Sequence, residues 1–240
     1  MFDIIASCPN TQILFVDRGD GGGSPGTIFS DQLQELQIML CACTRIKSLH
    51  YSAATGRPTG GYQSRIEVAD PQETLSDWIS NQTHIKQSLK QLHCLGLDSP
   101  SGWLLGCLSQ YLSSNLTSLH LGEGSFYTLS RTPLFDISQH CRKLKVLVVK
   151  YSLVTTHDLE KACQVWASTL ETLKVSLVAE TRDWVSQLIP HLEKLKVLHL
   201  GIECYVPVDG VNGIAKAESP FEEIIIGDMG ACAKLTLIIR

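Results

Sequence analysis

The chain lacks the features that mark membrane and secreted proteins. None of its apolar runs approaches the ~20 residues that a membrane-spanning helix needs. The first residues, Met1 to Ala6, contain no basic segment of the kind that begins a signal peptide. The net charge is only −4 over 240 residues. Because there is no excess of positive charge, we expect neither a nucleic-acid partner nor an anionic membrane as partner.

The cysteines lack a pattern. There are nine of them, an odd number in scattered positions, and no two form a C-x-x-C pair. A disulfide framework or a structural zinc site would need paired, closely spaced cysteines. We therefore expect reduced thiols, a cytoplasmic or nuclear location, and no metal or other cofactor.

Motifs for catalysis are lacking as well. The glycine-rich segment 19–26 is not followed by the lysine that a phosphate-binding loop requires. No Ser/His/Asp, Cys/His or paired-carboxylate arrangement can be assembled with any specificity. We expect that the protein is not an enzyme and that residues 19–26 form a surface loop.

What the sequence does contain is a recurring strand motif, in which apolar residues occupy the first, fourth and sixth positions. A clear copy is Leu144-Lys-Val-Leu147-Val-Val149. We assign copies beginning at residues 11, 46, 89, 116, 144, 170, 195 and 221. From residue 89 onward the copies are 25 to 28 residues apart. This motif with a fixed period in the twenties is typical of a leucine-rich-repeat solenoid.

Helix-compatible segments lie between the copies, at 133–142, 158–168 and 182–189. In the second, four apolar residues follow the spacing of one helical face, and Asp158 is suited to the N-cap. The prediction is an α/β fold: a right-handed leucine-rich-repeat horseshoe with a parallel sheet on its concave face and helices on its convex face. Residues 1–240 form a single domain with insert loops at about 17–30 and 52–74.

The segment from Cys141 to Cys163 resembles one full cysteine-containing leucine-rich repeat of the F-box type (ribonuclease-inhibitor-like), found in fungal, plant and animal proteins. Such repeats place a cysteine three residues before the motif, as Cys8, Cys43 and Cys141 stand here. The second cysteine typical of the repeat is replaced by Ser152. The resemblance implies substrate-binding repeats of a ubiquitin ligase receptor, which contacts a Skp-type adaptor through an F-box.

No F-box is visible in this chain, and neither end carries a polar cap, so we expect a fragment of a longer chain. Residues 234–240 read as the start of another apolar strand. A different interpretation is a regulatory or scaffolding repeat protein outside the ubiquitin system, such as the sensor repeats of an immune receptor. A third is a small-molecule binder or enzyme that uses the histidines described next.

The motif also predicts which residues face the concave side, because side chains alternate along a strand. The central apolar residues should form one buried column: Leu92, Leu119, Leu147, Leu173, Leu198 and Ile224. The residue after the central apolar residue of a copy should point to the opposite, concave face. Four copies have a histidine at this position: His50, His93, His120 and His199. These histidines form a pH-sensitive or anion-binding strip, or a weak metal site, or else they are ordinary residues of the repeat.

The candidate partner-binding residues lie on this concave face. They are His93, His120, Val146, Val148, Lys174, Val197 and His199. The three valines are apolar where the pattern points toward solvent, which favours a protein-binding surface. The alternative is that a loop or a terminal segment of the same chain covers them.

Overall fold

The structure is a computed structural model that describes residues 8–17, 28–52, 82–98, 108–122, 133–150, 155–176, 188, 191–200, 223–226 and 235–237. Within these residues the chain forms strands and helices in the following order. The strands are β1 (Ile13–Asp17), β2 (Ser48–Ser52), β3 (Cys94–Asp98), β4 (Ser118–Leu121), β5 (Val146–Lys150), β6 (Thr172–Ser176), β7 (Val197–Leu200), β8 (Glu223–Ile226) and β9 (Leu235–Leu237). The helices are α1 (Ile28–Ala42), α2 (Thr83–Gln91), α3 (Pro133–His140) and α4 (Thr156–Val165).

The strands form one sheet, in which they follow one another in chain order. The seven pairings from β1 to β8 are parallel, which confirms an α/β fold built on a parallel sheet. The strand expected near residue 235 is present as β9, but it pairs with β8 in the antiparallel direction. A parallel crossover needs about a dozen residues or more, and the segment 227–234 is too short for one. The prediction of a wholly parallel sheet is therefore wrong at its last strand.

The buried face of the sheet carries the predicted column of leucines, with one correction. Its members are in direct register and 0–1% exposed: Leu49, Leu95, Leu119, Leu147, Leu173 and Leu198. The expected member from the third copy, Leu92, is also buried but precedes β3. The segment Leu92-His-Cys-Leu95-Gly-Leu97 fits the motif three residues further on, and this is the register that the sheet adopts. Ile224 pairs with Leu198 as predicted, although its side chain lies outside the described residues.

Helix α4 packs against the sheet as its spacing predicts. Leu159, Ala162, Cys163 and Trp166 are all fully buried, which confirms the assigned apolar face. The indole nitrogen of Trp166 donates a 2.8 Å hydrogen bond to the carbonyl oxygen of Cys141. This bond joins the end of α4 to the turn before β5, so one repeat is fixed to its predecessor. Trp78, Trp103 and Trp184 lie outside the described residues.

The N-cap of α4 differs from the prediction. Thr155 holds this position, and its hydroxyl accepts a 3.1 Å hydrogen bond from the amide of Asp158. The carboxylate of Asp158 instead accepts from the amides of Leu134 and Phe135, at 3.0 and 2.9 Å. Those amides belong to the first turn of α3, where backbone donors have no partner within their own helix. Asp158 therefore caps a neighbouring helix.

The two predicted insert loops are only partly described. Helix α1 begins at Ile28, so the end of the loop expected at about 17–30 is helical. The loop expected at about 52–74 begins with Ser52, the last residue of β2, and its remainder lies outside the described residues. The predicted helix at 182–189 is described only at Leu188, a buried residue in helical conformation. No helix in the described part of the chain is long and apolar enough to cross a membrane.

Candidate protein-binding face

The face of the sheet opposite the buried leucines carries two columns of residues in register. The first column consists of Ile13, Ser48, Cys94, Ser118, Val146, Thr172 and Val197. The second column consists of Phe15, His50, Gly96, His120, Val148, Lys174 and His199. Neighbouring members are about one strand spacing apart, ~4.8 Å. Both columns therefore form a continuous surface that crosses seven strands.

The structure brings six of the seven predicted site residues onto this surface. Val146 and Val197 belong to the first column, and His120, Val148, Lys174 and His199 belong to the second.

His93 is the exception, because it lies outside the strand. It is exposed, and its backbone amide donates to the carbonyl of Lys47 at 2.7 Å, one residue before β3 begins. The cause is the three-residue shift of the motif, which puts Gly96 where His93 was expected. The histidines of the second column are therefore His50, His120 and His199.

Burial varies along the two columns. Val146 and Val197 are half-buried, whereas Val148 is only 7% exposed and His199 only 8% exposed. In the register Val148 lies between His120 and Lys174, and long side chains on both neighbouring strands limit its exposure. The interpretation of all three valines as open to solvent is therefore wrong for Val148. A charge introduced there would destabilise the fold as well as any interface.

Three aromatic rings lie in sequence across the first four strands. The rings of Phe15 and His50 stack with centroids 4.8 Å apart and planes 17° from parallel. The ring of His50 meets that of His120 edge-on, with centroids 5.6 Å apart. Phe15 is 72% exposed. The rings thus present a partly open aromatic surface.

Gly96 allows this arrangement, because it lies between His50 and His120 in the second column. A β-carbon at this position would come 2.2 Å from Nδ1 of His50. Any other residue would force the imidazole to move. The missing side chain therefore lets His50 extend across β3 to reach His120.

Two side chains of the first column contact these imidazoles. The thiol sulfur of Cys94 is 3.3 Å from Nε2 of His50. The hydroxyl oxygen of Ser118 is 2.8 Å from Nε2 of His120. Each contact holds one ring over the sheet and favours one ring orientation. Among the residues that the structure describes, no group of three or more His, Cys, Asp or Glu side chains could hold a metal ion.

A charged rim borders the first column where the strands begin. Nζ of Lys145 is 2.9 Å from one carboxylate oxygen of Glu171, and Nζ of Lys196 is 3.8 Å from the other. The hydrogen bond from Lys145 lowers the pKa of Glu171. A half-apolar surface with a charged rim is the usual arrangement of a protein interface.

Two residues that shape this surface, Phe15 and Gly96, are not among the predicted site residues. Phe15 stands between Leu14 and Val16 in the motif copy that begins at residue 11, so its place in the second column could have been read from the pattern. Gly96 is not predicted in the second column, because the motif copy that begins at Leu89 lies three residues before the register of the sheet. The complete motif ending in Leu95 and Leu97 would have revealed it.

The chain matches no known protein-family model, and no curated protein is significantly similar to it. Its function is therefore inferred from the sequence repeats and from the geometry of the two columns.

Proposed function

We propose that the protein is a non-catalytic protein-interaction module that binds a partner on the surface formed by the two columns. The observation that carries this proposal is the unbroken register, which sets equivalent residues of successive repeats side by side across seven strands. A surface of this kind suits an extended partner, because each strand adds two side chains to it. Solenoid proteins bind through extended concave surfaces of this type.

We also propose that the repeats form a right-handed leucine-rich-repeat horseshoe. The sheet would be its concave side and the helices its convex side. Three observations support it: the strand motif with its period in the twenties, the chain-order sheet, and the turns before the strands. In those turns the amide of the first motif residue bonds back three residues, as Thr11 does to Cys8 and Ile46 does to Cys43.

Within that architecture we favour the substrate-recognition repeats of an F-box-type ubiquitin ligase receptor, acting in the cytoplasm or nucleus. The support is the cysteine three residues before the motif. Cys43 and Cys141 are buried at this position, where a small apolar side chain packs under the turn. The Skp-type adaptor would be contacted through an F-box elsewhere in a longer polypeptide.

The first experiment tests the ligase assignment. The full-length gene product is expressed with an affinity tag, and co-purifying proteins are identified by mass spectrometry. Enrichment of a Skp-type adaptor and a cullin is the expected result. Reproducible partners without these two proteins would contradict the ligase assignment and favour the regulatory or scaffolding role.

The second experiment tests the surface itself. Lys174→Glu reverses a charge in the second column, and Val197→Glu adds one to the half-buried first column. The matched control is Gln164→Glu, at an exposed position on α4. Both sheet variants should lose a partner identified in the first experiment, by about tenfold or more in affinity, whereas the control should retain it. Full retention by both sheet variants would refute binding at this surface.

A further inference from the structure

The charged rim continues along the sheet from β2 to β7. It consists of the four residues that directly precede each of these strands: 44–47, 90–93, 114–117, 142–145, 168–171 and 193–196. These segments contain eight of the 20 Lys and Arg residues of the chain but only two of its 24 Asp and Glu residues. The rim is therefore strongly positive in a chain whose net charge is −4.

Backbone hydrogen bonds hold the segments of the rim side by side. The amide of Lys196 donates to the carbonyl of Glu171, and the amide of Glu171 donates to the carbonyl of Lys145, each at 2.8 Å. The same ladder, with distances of 2.7 to 2.9 Å, runs through Lys47, His93, Thr117, Lys145, Glu171 and Lys196. Five strand spacings of ~4.8 Å give the rim a length of about 24 Å.

Most cations of the rim are not neutralised by the fold. Glu171 pairs with Lys145 and Lys196. Within the part of the chain that the structure describes, the other six cations form no ion pair, and all six are exposed: Arg45, Lys47, Lys90, Arg142, Lys143 and Lys194. The rim therefore offers a row of positive side chains to an anionic ligand.

The composition of the rim favours an acidic segment of a protein over a nucleic acid. Proteins that bind single-stranded nucleic acids combine positive charge with aromatic side chains on which the bases stack. The rim segments contain no Phe, Tyr or Trp. They also include the carboxylate of Glu171 between two lysines, and this negative charge would repel a phosphate backbone.

The position of the rim favours the same kind of partner. Val146 and Val197 of the first column follow directly after Lys145 and Lys196 of the rim. A partner that covers the half-buried valines therefore also reaches the cations. Protein interfaces commonly combine an apolar centre with a polar border in this way.

We propose that the charged rim binds an acidic segment of the protein partner in an extended conformation. Carboxylates of this segment pair with the exposed Arg and Lys side chains, while the rest of the partner covers the two columns. An extended chain advances about 3.3 Å per residue, so about seven or eight residues span the rim. This inference rests on the proposed function, since it assigns the chemistry of the partner that the two columns would bind.

Binding is tested with short peptides on the full chain. The probe is an acetylated and amidated peptide of eight glutamates, and its matched control contains eight glutamines, which keep the length but carry no charge. A peptide of four glutamates tests the length of the site, and octathymidylate tests a nucleic acid. Titrations are followed by NMR, through the backbone amide signals of residues 44–47 and 142–145.

The expected result is a saturable shift of these signals with eight glutamates and no shift with eight glutamines. Raising the salt concentration from about 20 mM to about 200 mM should weaken binding by about tenfold, because salt screens exposed charges. Four glutamates should bind at least about threefold more weakly, since they contact only half of the rim. Equal binding of either control peptide, tighter binding of octathymidylate, or shifts confined to other parts of the protein would overturn the proposal.

Two double variants provide the matched comparison. Arg142→Gln with Lys143→Gln removes two charges from the rim, at exposed positions where folding should not be affected. Lys86→Gln with Lys161→Gln removes two charges from α2 and α4, so the net charge changes equally. The rim variant should weaken the glutamate peptide by about threefold to tenfold, and the helix variant should leave its affinity unchanged. Equal effects would show a response to net charge alone and would refute the site.

These outcomes separate the inference from the proposed function. If eight glutamates do not bind, or the partner keeps its affinity for the rim variant, while Lys174→Glu still abolishes partner binding, only the rim site is wrong. If the partner ignores every change on the two columns, the proposed function is wrong, whatever the peptides do.

Discussion

The carboxylate of Asp158, in the first turn of α4, accepts a 2.9 Å hydrogen bond from the backbone amide of Phe135, in the first turn of α3. The adjacent amide of Leu134 donates to the second carboxylate oxygen at 3.0 Å. Asp158 is only 1% exposed. A buried carboxylate therefore joins the starts of two successive helices.

Asp158 should make stability depend on pH. Burial raises the pKa of Asp158 to about 6, although the two amide hydrogen bonds act in the opposite direction. The folded protein thus holds this proton more tightly than the unfolded chain does. The protonated side chain of Asp158 therefore contributes to the free energy of unfolding. This contribution is fully present below about pH 4 and is lost as pH rises through about 6. The stability of the wild type relative to Asp158→Asn should therefore decrease between these two pH values in urea denaturation.

Thr155→Ala is the control for this experiment. It removes the N-cap of α4, at a cost of about 1 kcal/mol, but no titratable group. Its stability relative to the wild type should stay constant over the same pH range. If the stability of the wild type relative to Asp158→Asn instead increased as pH rises, the amide hydrogen bonds would outweigh burial.

Truncation of a leucine at the centre of the buried column should greatly lower the free energy of unfolding. Leu147 is fully buried between Leu119 and Leu173 in the register. Leu147→Ala should cost roughly 2–5 kcal/mol of unfolding free energy, because it removes a core side chain and leaves a cavity. The adjacent Val146 points to the opposite face and is half-buried, so Val146→Ala should cost clearly less. Equal losses in chemical denaturation would contradict the assigned faces.

The thiols should differ in reactivity. Cys8 and Cys41 are exposed, whereas Cys43, Cys141 and Cys163 are buried. Burial raises the pKa of Cys141 to about 12 and also raises that of Cys163. Burial also raises the pKa of Cys41, although this residue is exposed. Since the thiolate is the reactive form, iodoacetamide should modify Cys8 and, more slowly, Cys41 in the native protein. Cys141 and Cys163 should react only after denaturation, as peptide mass spectrometry would report. Native labelling of Cys141 would contradict its place in the core.

The sequence predicted the sheet well because its motif has strict alternation. Leu119, Leu147, Leu173 and Leu198 lie where the pattern put them, in one buried column. The predicted register is wrong for the copy that was assigned to begin at Leu89. There Leu92 is both the fourth residue of one possible motif and the first residue of another. The later motif, which ends in Leu95 and Leu97, has leucine at all three positions, and the pairing of β3 with its two neighbours establishes that register.

The candidate site was less predictable, because it depends on contacts between strands. The sequence placed His50 and His120 correctly on one face, but the alignment of copies did not reveal that Gly96 separates them. The capping role of Asp158 was missed for a similar reason. Its partners, Leu134 and Phe135, are distant in sequence and meet Asp158 only through helix packing.

Gly96→Ala gives the most specific check of the aromatic arrangement. The added β-carbon would lie 2.2 Å from Nδ1 of His50, so the imidazole must move away from Cys94 and His120. Alanine also restricts the unfolded chain more than glycine does, which offsets part of the strain. Net stability should therefore change by no more than about 1 kcal/mol. The ring signals of His50 and His120 should shift in NMR spectra, while those of His199, three strands beyond His120, should not. Unchanged His50 signals would mean that the imidazole does not lie over Gly96.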